Sequence, residues 1–146
     1  MRRPQQKVKK VKKEKKLTRK QALKKYDEKW SKLVKIRAGN KCEVDGCDKT
    51  TYLNSHHIFT RNNYATRFDL DNGICLCSGH HTFNNHFSAH RTPMEFTEWI
   101  IKKRGQKWYD GLKYKANQIW DKDVEKIWIY LENKEKELNV KDICKT

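Results

Sequence analysis

The sequence predicts an α+β fold: a small core of two strands and a short helix, pinned by metal-binding cysteines and flanked by N- and C-terminal helices. Three observations predict it. Four of the five cysteines and all six histidines fall between residues 42 and 90. In that stretch two short apolar runs, Tyr52 to Ile58 and Gly73 to Leu76, flank a polar loop and read as strands. On either side, apolar residues recur at helical spacing. With 146 residues, 36% apolar and 36% charged, the chain fits one small domain with extensions and is too lean for a large core.

The first segment, 1–17, is a basic arm. Residues 1–41 carry 18 Lys and Arg against 3 Asp and Glu, or +15 of the chain's +16. Residues 1–16 cannot bury a face and are expected to be disordered when unbound. Lys9, Lys10, Lys12 and Lys13 are its candidate phosphate contacts, and such an arm suits a nucleic acid, whose counterions it releases. Residues 18–39 form an N-terminal helix with Leu23, Tyr26, Trp30, Leu33 and Val34 on one stripe, Thr18 as cap and Gly39 as stop.

Residues 40–105 form the core. A loop with Arg61 and Arg67 joins the strands, and a short helix is expected after Cys77. Thr92-Pro93-Met94-Glu95 has the form of a capping box with proline at the first helical position. Phe96, Trp99 and Ile100 make that helix's apolar face, and Gly105 ends it. Residues 106–146 form a helical extension: one helix from Gln106 to Trp120, then one capped by Asp121 with Val124, Ile127, Trp128, Leu131 and Leu138 on one side. The tryptophans and tyrosines here are expected in the core rather than as base-stacking platforms.

The same composition excludes several classes. No apolar run is long enough to span a bilayer. The lysine-rich N-terminus lacks the apolar stretch of a secretory signal, so a cytoplasmic location is expected. An odd cysteine count without export disfavours a disulfide framework and favours metal thiolates.

Cys42 and Cys47 are separated by four residues, Cys77 and His80 by two, with 29 between the pairs. Each pair is a knuckle, and two knuckles supply the four N/S ligands of a structural Zn²⁺. A hairpin between the pairs accounts for the long gap. Asp45 remains a rival to Cys47. Cys75 remains a rival to Cys77, since strand alternation sends both to one face. Cys144 lies in the tail with no partner nearby.

The histidines suggest a second, reactive site. His56 and His57 are adjacent at the end of a strand and point to opposite faces. One can hold a metal while the other acts as a base. Phosphodiester cleavage needs a proton removed from water and charge neutralised at phosphorus and the leaving oxygen. A histidine cluster with a divalent ion offers both.

Ser55-His56-His57-Ile58, Leu70-Asp71-Asn72-Gly73-Ile74-Cys75-Leu76-Cys77 and Gly79-His80-His81 together resemble the HNH endonucleases, the ββα-metal nucleases. Ala89-His90-Arg91-Thr92-Pro93-Met94-Glu95-Phe96 is most similar to the phage-encoded type. The resemblance covers roughly residues 40–105. It implies His57 as the general base and Asn72 as the residue that bridges the hairpin and orients that base. It implies His56, His81 and His90 as ligands of one catalytic divalent metal (Mg²⁺, Mn²⁺, Ni²⁺ or Zn²⁺), and Cys42, Cys47, Cys77 and His80 as zinc ligands. Here the first knuckle is C-x4-C rather than C-x2-C, the second ends in His80 rather than cysteine, and Asn85 stands where a second metal-binding histidine is common. His86 therefore remains a rival to His90.

The implied activity is metal-dependent hydrolysis of DNA, double-stranded in the first instance, in a host bacterial cytoplasm if the protein is phage-encoded. Arg61 and Arg67 are candidate phosphate grips. A homodimer or a phage protein partner is open. Two alternatives stand: a non-catalytic zinc-dependent DNA-binding module, and an RNA-directed nuclease using the same site.

Overall fold

In the computed structural model, residues 17–120 and 123–143 are described, with side chains to residue 139. The arm lysines Lys9, Lys10, Lys12 and Lys13, the expected cap Asp121, and Cys144 lie outside the described residues. Helix α1 (Arg19–Arg37) starts at a capping box: the Thr18 hydroxyl accepts from the Gln21 backbone N–H, and the Gln21 side chain accepts from the Thr18 N–H. It ends in a Schellman motif. The Asn40 N–H bonds the Lys35 carbonyl and the Gly39 N–H bonds the Ile36 carbonyl, with Gly39 at φ +64°.

Strands β1 (Leu53–His57) and β2 (Gly73–Cys77) pair antiparallel, with Ser55 opposite Cys75 and His57 opposite Gly73. A 3₁₀ turn, Leu70–Asn72, leads into β2, and a single π-helical turn, Gly79–Phe83, follows it. Helices α2 (Pro93–Arg104), α3 (Gln106–Ala116) and α4 (Val124–Ile143) complete the chain. The architecture is α+β, as expected from the sequence.

The hairpin is covered on both faces. On one, Trp30, Leu33 and Val34 of α1 are buried with Phe68, Leu70, Cys75 and Leu131 of α4. On the other, Ile74 and Leu76 pack on Phe96 and Ile100 of α2. The approach of α1 to β2 requires Gly73. A Cβ there would lie 2.4 Å from Val34 Cγ2 and 3.0 Å from Trp30 Cζ2. Between α1 and α2 the Glu43 carboxylate accepts from the Cys75 backbone N–H (2.7 Å) and from Arg104 (3.0 Å). Arg37 donates to the Gly73 carbonyl at 2.8 Å. These bonds fix the start of β2.

Three local expectations are corrected. Thr92 caps nothing with its side chain: its hydroxyl is drawn back to Ser88, donating to the carbonyl at 3.0 Å and accepting from the N–H at 2.9 Å. Helix α3 stops at Ala116 rather than Trp120. At the start of α4, Asp123 accepts from the Glu125 and Lys126 N–H groups at 2.9 and 3.4 Å. Cys75 and Cys77 do not share a cluster. Cys75 packs with α1, whereas Cys77, at the end of the strand where the chain enters the π turn, packs with Cys42 and α2. Trp99, Trp108 and Trp128 pack against the core, but Tyr114 is exposed. Among the described residues no helix is long and apolar enough to cross a membrane.

Candidate functional site

Two groups of potential ligands meet at the π turn, which supplies His80 to one and His81 to the other. Cys42, Cys47, Cys77 and His80 place their ligand atoms within 4.8 Å of one another. His80 Nδ1 lies 3.5 Å from Cys42 Sγ and 3.4 Å from Cys77 Sγ. Tetrahedral ligands at about 2.3 Å for sulfur and about 2.0 Å for nitrogen stand about 3.5 Å apart. The set therefore fits a metal ion, and its chemistry is compatible with zinc. Burial pushes the Cys42 thiol up to about 12. Burial also raises Cys77, but hydrogen bonds from the His80 backbone and from Cys42 and Cys47 outweigh it and leave that thiol below its ordinary value. Three adjacent thiols ionise together only when a cation compensates them.

The two rivals lie elsewhere. Asp45 is exposed and bonds Trp99 Nε1 (3.2 Å) and Lys103. Cys75 is buried away from the group, its thiol pushed to about 11 by burial and then by Glu43.

The second group is His56, His81 and His90, again with one nitrogen from each within 4.8 Å of the others. His81 Nε2 and His90 Nε2 are 3.2 Å apart. Two nitrogens about 2.0–2.1 Å from one ion at tetrahedral angles stand about 3.3 Å apart, so this trio also fits a metal. His81 Nδ1 sits 3.0 Å from the Thr82 hydroxyl, which leaves Nε2 free to ligate when Nδ1 carries the proton. His56 comes from β1, His81 from the π turn, and His90 from the loop before α2. Backbone bonds from Ala89 N–H to the His80 carbonyl (2.9 Å) and from His90 N–H to the His81 carbonyl (3.2 Å) bring that loop to the turn. His86 is exposed and outside the trio, its N–H bonded to Asn84. Burial, then His90, His81 and His57, push His56 down to about 3. Burial also lowers His81.

His57 shares a cleft of ≈ 390 Å³ with the trio, lined also by Ser55, Thr60 and Arg61. Its ring lies flat on Trp30, centroids 3.8 Å apart and planes 10° apart. Its Nε2 is 2.9 Å from the Arg67 carbonyl. Only an N–H can face a carbonyl, so Nε2 is protonated, and in the neutral ring Nδ1 then carries the lone pair. Burial holds His57 below its ordinary value, partly offset by the bond to that carbonyl.

Asn72 is fully buried and braces the loop between the strands. It donates to the Phe59 and Thr66 carbonyls (2.9 and 3.0 Å) and accepts from the Phe59 N–H (2.7 Å). The expected contact to His57 is replaced by the Arg67 carbonyl, because strand pairing sets His57 opposite Gly73, not Asn72. Arg67 is not available to a phosphate as expected. Its guanidinium donates to both oxygens of Asp27 and lies near the Tyr64 and Phe68 rings. Arg61 is exposed at the rim of the cleft. Sequence reasoning missed Asp27 and the site-facing role of Trp30, because both depend on where α1 docks.

No family model, curated protein or solved structure matches the chain.

Proposed function

We propose that this chain is a metal-dependent HNH endonuclease with a ββα-metal core, hydrolysing DNA phosphodiester bonds. The observation that carries the reading is the meeting of His56, His81 and His90 in one cleft with His57, whose Nε2 faces the Arg67 carbonyl. His56, His81 and His90 would hold one divalent ion. When bound, that ion supplies positive charge for the scissile phosphate and the leaving oxygen.

The chain's own residues do the rest. His57 accepts the proton of an attacking water at Nδ1, and the imidazolium that forms keeps its Nε2–H bond to the Arg67 carbonyl. Trp30 blocks one face of the ring and restricts its rotation. Arg61, at the rim, meets a phosphate beside the cut. Asn72 keeps the loop that carries Arg61 and Arg67 in place. Cys42, Cys47, Cys77 and His80 would hold a structural zinc, which contributes folding energy to an apolar-poor domain. The lysine-rich arm adds affinity that falls steeply with salt.

The test is purified protein on supercoiled plasmid with EDTA, Mg²⁺, Mn²⁺, Ni²⁺ or Zn²⁺, beside His57→Ala. Metal-dependent nicking or linearisation that vanishes in His57→Ala is the expected result. Salt-sensitive DNA binding without cleavage under any metal would overturn the reading in favour of a non-catalytic zinc module. Preferential cleavage of RNA in competition would redirect it to an RNA substrate.

A further inference from the structure

We propose that Asp27, on α1, is a positioning residue that holds the ring of His57 in place through Arg67. The inference rests on the nuclease reading for its effect on turnover, while its geometry stands apart from it. Helix α1 lies outside the segment that resembles the HNH family, yet it controls His57 from two sides. From one side, Trp30 stacks on the imidazole, and Trp30 is itself pinned by its indole N–H, which donates to the Asp69 carbonyl at 3.0 Å. From the other side, the Arg67 carbonyl accepts the Nε2–H at 2.9 Å.

Arg67 lies on the irregular segment between the strands. A carbonyl on such a segment is only as fixed as the segment itself. Asp27 supplies the anchor. Its two oxygens take Arg67 Nε at 2.9 Å and Nη2 at 2.5 Å, a two-point contact that sets direction as well as distance. The pair is mostly shielded, with 12% of the Arg67 side chain and 22% of the Asp27 side chain exposed. Asn72 holds the preceding residue, Thr66, by its carbonyl. Asp27 therefore ties the acceptor of the His57 proton to a helix seated directly on β2. Loss of that tie lets the carbonyl move, and the ring lose its single tautomer and its fixed orientation in the cleft it shares with the trio.

The experiment uses the full zinc-loaded chain with Asp27→Ala and Asp27→Glu. It records the imidazole ¹⁵N spectrum of His57, the unfolding midpoint, and kcat and KM for plasmid cleavage. In the native chain the ¹⁵N shifts should report a protonated Nε2 and an unprotonated Nδ1. In Asp27→Ala they should move toward an average of both tautomers. There kcat should fall about 10- to 100-fold with KM within about twofold, the expected cost of a misplacement of about 1 Å. Asp27→Glu should recover most of both signals. If Asp27→Ala does not fold, Arg67→Lys, which keeps the charge but loses the two-point contact, is read in the same way. A native ¹⁵N pattern with native kcat in the folded variant overturns the proposal. If the native chain cleaves nothing, the nuclease reading falls, and the ¹⁵N pattern alone decides whether Asp27 positions the ring.

Discussion

Gly73 is where the seating of α1 can be tested with a single methyl group. An alanine Cβ would stand 2.4 Å from Val34 Cγ2 and 3.0 Å from Trp30 Cζ2, against about 3.5–4.0 Å for an unstrained carbon pair. Val34 cannot turn aside freely, because a β-branched residue in a helix has one strongly preferred rotamer. The helix must therefore lift by an appreciable part of an ångström from a face where Trp30, Leu33 and Val34 are almost fully buried. Overpacking of this kind costs about 1–3 kcal/mol. Val34→Ala alone removes two buried methyl groups, worth roughly 1.6 kcal/mol. If the two sites were independent, the double variant would lose about 2.6–4.6 kcal/mol. If the clash with Val34 is the main one, the new methyl fills space vacated by Val34 and leaves only the milder 3.0 Å approach to Trp30 Cζ2, so the double variant should lose at least about 0.5 kcal/mol less than the additive value. Urea denaturation of the four proteins measures the cycle. A Gly73→Ala protein as stable as the native one, or additive losses, would refute the packing described for α1 and β2.

Three shorter predictions follow from other elements. Cys42→Ala should lower the unfolding midpoint and bound zinc together, read by denaturation and metal analysis, because ligand energy at this site is folding energy. Asp123→Ala should cost about 1 kcal/mol through loss of the α4 cap, seen as a lower midpoint and weaker helical circular dichroism. Acid should destabilise the fold. Burial keeps His56, His57, His80 and His81 below their ordinary values, so the unfolded chain, titrating near about 6.5, binds more protons. Stability is then lost as pH falls through that value toward the folded values, and the urea midpoint should be lower at pH 5.5 than at pH 7.5. An equal or higher midpoint at pH 5.5 contradicts it.

What the sequence revealed was mostly local. The α1 stripe could be read because its helical spacing and Thr18 cap lie within one segment. The two strands were legible for the same reason, with boundaries displaced by a residue. Knuckle spacing identified Cys42, Cys47, Cys77 and His80 because each pair needs only a tight turn. Choosing between His86 and His90 required a non-local fact, the backbone pairing of residues 89–90 with 80–81. Thr92 misled because its hydroxyl had a competing partner in Ser88. Arg67 looked like a surface grip because nothing in its neighbourhood announces Asp27, forty residues earlier. The carbonyl that holds His57 could not be seen at all, since any residue can supply one.

The π turn joins the two ligand groups more closely than their chemistry suggests. His80 belongs to the thiolate group and His81 to the imidazole trio, and they are consecutive in one five-residue turn. His90 is tied to the same turn through the His81 carbonyl. A cation held by His80 restrains the turn, and a restrained turn presents His81 and His90 together. If the thiolate group holds zinc and the turn couples the two groups, reciprocity requires that a cation in the trio strengthen zinc binding at the other group. Mn²⁺ is a suitable probe because it competes poorly for thiolates. Saturating Mn²⁺ should raise zinc affinity, measured by competition with a chelating dye, about 5- to 150-fold. His90→Ala, at an exposed ligand, should remove the effect while keeping the zinc group. Zinc affinity that ignores Mn²⁺ in the native chain would mean that the turn holds its shape without either ion, and that the two groups are neighbours without being coupled.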